Sequence, residues 1–348
     1  MIDFDSYSNR FKYESRNLGF SEANIETCLN YANKLNLNNV PIIYNLTHLS
    51  KLTGVKRNYI VQAAVVSKHS DSYYREFKVN KKNGVGYRII NEPLPNLKRV
   101  QYWILFNILS KIHISPYAKA YVSKRGLKQN LRFHRNQKMV LNVDIKNFFP
   151  SISCVMVEDI FINLGYSNTL SKYLAKLCLL NDTLPQGAPT SPIISNIVML
   201  YFDEQVSSFA KQNKINYTRY ADDITFSGNF DEQNVIEFVE RILLHYNFSL
   251  NENKTTLMYD FQRQVVTGVV VNEVIQLSKE QRKRLRLVLH YLKQNGLNDF
   301  LIKNRITTSK EKFINSTLGQ VSFGLYLNKA DSSLIEFKKL LIEERKKL

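Results

Sequence analysis

Three acids stand out chemically in this chain: Asp144, which ends the apolar run Met139-Val-Leu-Asn-Val, and the adjacent pair Asp222-Asp223 inside residues 216–227. In the second stretch β-branched and aromatic residues flank the acids on both sides, which reads as a strand, a tight turn and a returning strand. Two neighbouring carboxylates repel, and a fold that presents them together commonly holds a cation between them. A solvated turn explains the pair equally well, since Asp is a frequent turn residue. Asp144 belongs at the end of a buried strand, where a charge without a partner is costly; a metal ion or the N-cap of a following helix would each answer that cost. Combined, one acid at a strand end and two in a turn 78 residues later are enough to surround two divalent ions. Such a pair activates an attacking hydroxyl and stabilises a leaving pyrophosphate, which is the chemistry of nucleotidyl transfer.

The rest of the chain suits a polyanionic substrate. Forty-eight Lys and Arg against thirty Asp and Glu give a formal charge of +18, while 44% hydrophobic residues, with 20 Phe and 20 Tyr, supply real cores. No apolar run approaches the roughly 20 residues needed to span a bilayer, so no membrane partner is expected. The acidic, polar start Met1-Ile-Asp-Phe-Asp lacks a secretory pattern, which points to a cytoplasmic location. Cys28, Cys154 and Cys178 have no C-x-x-C spacing and read as reduced core residues.

The positioning elements follow in order. Residues 1–70 have helical periodicity, and 46–60 contain a turn at Thr53-Gly54-Val55 that suits either a helix-turn-helix reader of DNA or a plain glycine C-cap. Residues 74–90 read as a hairpin with Lys81, Lys82 and Arg88 near its tip, able to close over a polyphosphate or simply to protect an edge. A helix is expected over 97–112, burying Leu97, Val100, Ile104, Leu105 and Ile108, with Trp103 packed as well. Residues 117–138 are basic with Tyr121 and Phe133 interleaved, a composition for tracking a phosphate backbone or for a solvated face. After helices over 155–183, the stretch Leu184-Pro-Gln-Gly-Ala-Pro-Thr-Ser-Pro192 is expected to form a fixed loop whose backbone approaches a flat ligand, or a turn that starts a helix. An apolar hairpin over 264–271 and a helix capped by Ser278 follow, the latter with Arg282, Lys283, Arg284 and Arg286 on a basic face.

The order of these pieces resembles a known family. Asp144 in VDIKNFFPSI, then LPQGAPTSP, then YADD, then NENKT over 251–255 is similar to the successive palm motifs of reverse transcriptases. Val266-Thr267-Gly268 resembles the VTG motif of bacterial retron reverse transcriptases, and Asn130-Leu-Arg-Phe-His134 their N-A-x-x-H signature, with Leu131 departing from Ala. The resemblance covers about residues 70 to 300.

It implies an α+β right-hand polymerase fold. The fingers would take residues 1–70, as a helical N-terminal part, and 71–138; the palm, an antiparallel sheet with helices packed on one face, 139–272 with a helical insertion at about 155–183; and a helical thumb 273–348. Asp144, Asp222 and Asp223 would be catalytic and would hold two Mg²⁺, with Mn²⁺ as a substitute and the Ile145 carbonyl as a further ligand. Lys81, Lys82 and Arg88 would contact the triphosphate of a dNTP, Phe149 would exclude a 2′-hydroxyl, Gln186 would touch nucleotide or template, and Lys254 would serve as general acid. Asn130, His134, Val266, Thr267, Gly268, Arg282, Lys283 and Arg286 would meet RNA. The implied partners are a cognate structured non-coding RNA serving as template and primer, the branched msDNA product primed from the 2′-hydroxyl of an internal guanosine, and a separate effector protein in antiphage defence. Two alternatives stand beside this reading: a group II intron-like or diversity-generating reverse transcriptase, and a non-catalytic helix-turn-helix regulator built on residues 46–60.

Overall fold

The computed structural model describes residues 3–65, 73–80 and 86–348, so Lys81 and Lys82 lie outside the described residues. The chain forms two compact units, one from Met1–Ser123, Ile145–Val206 and Val239–Leu250, the other from Lys124–Asp144, Ser207–Phe238 and Asn251–Leu348.

The first unit is mainly helical. Its opening helices are Phe4–Asn17, Glu22–Leu37, Leu46–Thr53 and Arg57–Val65. Gly54 ends the third of these in the left-handed region at φ 68°, the C-cap that glycine provides without a Cβ clash. Strands β1 (Tyr74–Asn80) and β2 (Tyr87–Pro93) pair antiparallel, as the alternating sequence predicts, with Val79 opposite Arg88. The next helix, Pro95–Asn107, starts with proline, whose fixed φ suits a first turn, and buries Leu97, Val100, Gln101 and Ile104. It ends earlier than periodicity predicts: the chain tightens into a 3₁₀ turn over Leu109–Lys111, and Trp103 and Leu105 are only half-buried. Helices Cys154–Asn163 and Asn168–Cys178 occupy the expected helical stretch. The three cysteines are free, and burial pushes the Cys178 thiol up to about 12, which makes it inert.

The second unit contains an antiparallel sheet in the order β4-β5-β3-β6, formed by β3 (Met139–Asp144), β4 (Asn216–Tyr220), β5 (Asp223–Gly228) and β6 (Thr256–Tyr259). Because β3 pairs on both sides, its residues Val140, Leu141 and Val143 are buried, which accounts for the apolar run before Asp144. Strand alternation divides the sheet into two faces. One carries Leu141, Val143, Tyr217, Arg219, Ile224 and Phe226; the other carries Asn142, Asp144, Thr218, Asp223, Thr225 and Ser227.

A small hairpin, β7 (Val265–Val266) and β8 (Val269–Val270), leads to helices Lys279–Lys303, Lys310–Leu327 and Ser332–Lys346. Val266 and Val269 share a core with Leu285, Leu289, Leu292, Phe300, Val321 and Phe337 from those helices. Each such side chain contributes about 1.5–3 kcal/mol on burial. Ser278 and Gln281 form a reciprocal capping box, and Gly296 (φ 74°) interrupts the long helix.

Candidate active site

Strand pairing assembles the acids. Asp144, the last residue of β3, stands opposite Asp223, the first residue of β5, so the two acids share the polar face of the sheet. Between β4 and β5 only Ala221 and Asp222 lie outside the ladder, since Tyr220 pairs with Asp223. Ala221 has φ 60°, and Asp222 does not share that positive sign, the pattern of a type II′ hairpin turn. Glycine is the usual occupant of that first position; alanine there is strained by about 1–2 kcal/mol. The turn is held from within its own strand: the fully buried Arg219 donates from Nη1 to the Ala221 carbonyl at 3.1 Å. Asp222 and Asp223 are half-buried.

Asp144 is 6% exposed. Its Oδ1 accepts from Lys254 Nζ at 2.8 Å and from Asn251 Nδ2 at 3.1 Å, and its carbonyl accepts from the Asn251 N–H at 2.8 Å. Lys254 lies in the 3₁₀ turn Glu252–Lys254 and remains largely exposed, so a cation free to move is paired with a buried, fixed anion. Burial of a carboxylate calls for a charged partner, and here the Lys254 ammonium supplies it. Carboxylate oxygens are the donors a hard divalent ion takes, so the set fits such an ion in kind. The acids are not drawn into a closed cluster, however: among the described residues no three His, Cys, Asp or Glu side chains are grouped to hold a metal.

The other predicted residues divide between the two units. In the first, Ile145 is buried and bridges Leu250, Phe149 is half-buried beside Phe148 in an edge-on ring contact, and Arg88 is exposed on β2. Gln186 is exposed, and its carbonyl accepts from the Asn91 N–H at 2.7 Å. Gly187 (φ 122°) follows; a Cβ there would meet the Asn91 carbonyl oxygen at 2.7 Å. The close approach expected between this loop and a ligand is thus made, in part, to the protein's own β2 strand.

In the second unit Arg282 is half-buried, while Lys283, Arg286 and Gly268 are exposed. Asn130, His134 and Val266 are 1%, 0% and 0% exposed. The two polar side chains bind the protein's own strands: Asn130 Nδ2 donates to Thr267 Oγ1 at 3.2 Å, Thr218 Oγ1 donates to Asn130 Oδ1 at 2.6 Å, and the His134 ring reaches Thr218 Oγ1 and Ser227 Oγ at 2.7 and 2.8 Å. Asn130 lies in the helix Leu127–Phe133 and His134 is its C-cap, both hydrogen-bonded within the protein, while Val266 lies on β7 in the hydrophobic core. Sequence reasoning did not single out Arg219 or Asn251. Arg219 left a signal, a charge at an inward position of an alternating strand; Asn251 left none outside its motif.

Residues 79–313 match the family described as reverse transcriptase (RNA-dependent DNA polymerase). The Retron Ec86 reverse transcriptase of Escherichia coli is 31% identical over 75% of this chain and 83% of that protein. The Retron Ec83 reverse transcriptase of Escherichia coli is 33% identical over 66% and 78%, and the Retron Mx65 reverse transcriptase of Myxococcus xanthus 34% identical over 68% and 59%. Telomerase from Candida albicans, solved with a fragment of telomeric RNA, aligns with a TM-score of 0.43 at 14% identity over 78% of this chain and 63% of that one. With the ordered motifs on an antiparallel sheet and a family match over most of its length, the chain belongs to the bacterial retron reverse transcriptases, RNA-directed DNA polymerases of α+β fold.

Proposed function

We propose that this polymerase copies a cognate structured non-coding RNA into DNA, beginning from the 2′-hydroxyl of an internal guanosine of that RNA and yielding a branched msDNA, within an antiphage system that includes a separate effector protein. The observation that carries the catalytic part is the register: Asp144 opposite Asp223, with Asp222 in the strained turn beside them. Fingers over 1–138, palm over 139–272 and thumb over 273–348 are the corresponding division of labour.

The family generally uses divalent metal ions. Asp144, Asp222, Asp223 and the Ile145 carbonyl would hold two Mg²⁺, or Mn²⁺ in their place. Bound there, the ions supply hydroxyl activation and charge neutralisation at the leaving pyrophosphate. Lys254 would release that carboxylate and give a proton to the departing phosphate, a reading supported by its pairing with Asp144 and its exposure. Arg88, with Lys81 and Lys82, would bind the dNTP triphosphate; Phe149 would exclude the 2′-hydroxyl; Gln186 would touch nucleotide or template. RNA would meet the exposed Lys283 and Arg286 with Arg282 and the Thr267-Gly268 turn.

Among the described residues no helix is long and apolar enough to cross a membrane, and the proposed site of action is the cytoplasm. The test is to sequence nucleic acid that copurifies with the protein and to extend it with dNTPs. A short DNA joined to RNA through a 2′ branch is the expected result, with extension stopped by chelation of divalent ions. A linear product primed from a 3′ end would overturn the retron-type priming.

A further inference from the structure

We infer that the buried network Asn130–Thr218–His134–Ser227 is a positioning device for the turn that presents Asp222 and Asp223, and that Thr267 couples it to the β7–β8 turn. The inference rests on the polymerase reading and adds residues that act through the acids rather than on substrate.

Burial comes first. Asn130, Thr218, His134 and Ser227 are 1%, 0%, 0% and 0% exposed, so their polar atoms act on one another. Thr218 precedes Asp222 by four residues, and Ser227 follows Asp223 by four, each within the strand that leads into or out of the turn. In the ladder Thr218 faces Thr225 and Asn216 faces Ser227, so the imidazole of His134 spans the hairpin diagonally rather than a directly opposed pair. A slip of β4 against β5 by one residue would turn Thr218 to the opposite face and break the clamp. The same slip would displace Asp222 and Asp223, whose place against Asp144 the chemistry requires.

Hydrogen directions make the chain continuous. Thr218 gives its hydroxyl hydrogen to Asn130 Oδ1, so the hydrogen between Thr218 and His134 comes from Nε2. Asn130 keeps its amide hydrogens for Thr267 Oγ1, which reaches the turn between β7 and β8. On the same face, nearer the acids, Thr225 donates to Asn142 Oδ1 at 3.1 Å and Asn142 Nδ2 donates to the Val265 carbonyl at 2.7 Å, a second tie between the sheet and that hairpin. A satisfied polar network of this kind specifies one arrangement where an apolar core would accept several.

The experiment measures single-turnover dNTP incorporation by the full chain on its copurified RNA, with the dNTP KM, the RNA Kd and thermal unfolding recorded alongside. Thr218→Val keeps the shape and removes the hydroxyl; Thr218→Ser restores it. The expected result for Thr218→Val is a fall in the incorporation rate of about tenfold or more, well below its unfolding temperature. The dNTP KM and RNA Kd should stay within about twofold, and Thr218→Ser should recover most of the rate. Ser227→Ala carries the same expectation in the same direction and decides the matter if Thr218→Val does not fold. An unchanged rate in a folded variant, or a loss confined to RNA binding or to the unfolding temperature, overturns the inference. If the wild-type chain incorporates no dNTP, the polymerase reading falls and this inference with it; an active wild type with unaltered variants overturns the inference alone.

Discussion

Two hairpin turns in the same unit place a residue with a side chain where the backbone favours glycine, and they hold it by different means. Between β4 and β5, Ala221 sits at φ 60°; between β7 and β8, Thr267 sits at φ 47° ahead of Gly268 at φ 78°. The first has the sign pattern of a type II′ turn, the second that of a type I′ turn. Ala221 is restrained through its carbonyl by Arg219 of the adjoining strand, whereas Thr267 is restrained through its hydroxyl by Asn130 from a helix 137 residues earlier. Strain of about 1–3 kcal/mol persists only where surroundings over-determine it. The Asp222–Asp223 turn thus has a tie from its own strand in addition to the buried network on the sheet behind it. The second turn depends on a tertiary contact, and its geometry reports on the fold as a whole.

The largest expected effect concerns the first turn's cargo. Replacing both Asp222 and Asp223 with Ala should lower extension by on the order of 10³-fold or more with folding intact, as read by primer extension and circular dichroism. Sustained synthesis by the double variant would remove the acids from the chemistry. Next, Arg219→Met should destabilise the protein by about 2–3 kcal/mol in urea denaturation, since the Ala221 carbonyl loses a buried charged donor. A neutral result would mean the turn is held by other contacts. The single variants sharpen the comparison: Asp222→Asn should cost more turnover than Asp223→Asn, and equal losses would contradict an unequal division between them. The smallest effect belongs to the second turn. Thr267→Gly relieves the φ strain while losing the Asn130 contact, so its stability should change by less than about 1 kcal/mol, whereas Thr267→Val loses the contact and keeps the strain and should cost about 1 kcal/mol or more. Equal effects of the two would show that the backbone strain at this position contributes nothing.

The β1–β2 hairpin, the paired helices after Asp144, the β4-turn-β5 unit, the β7–β8 hairpin and the Ser278 cap were all legible in the chain, because each is governed by local alternation, turn chemistry or capping. Local periodicity misjudged the helix after Pro95, which stops at Asn107, and it could not show that Gly187 packs on β2. The second outcome depends on a segment distant in sequence.

By itself the sequence determined the family and the reaction class, through a basic chain and an ordered set of motifs, and singled out three acids in strand contexts as the candidates for the chemistry. Only the tertiary structure decided that Asp144 faces Asp223 across β3 and β5, that Lys254 neutralises Asp144, and that Asn130 and His134 point inward. The reason is physical. Strand and turn identity come from neighbours within a few residues, whereas register, charge pairing and burial are set by which distant surfaces exclude water together.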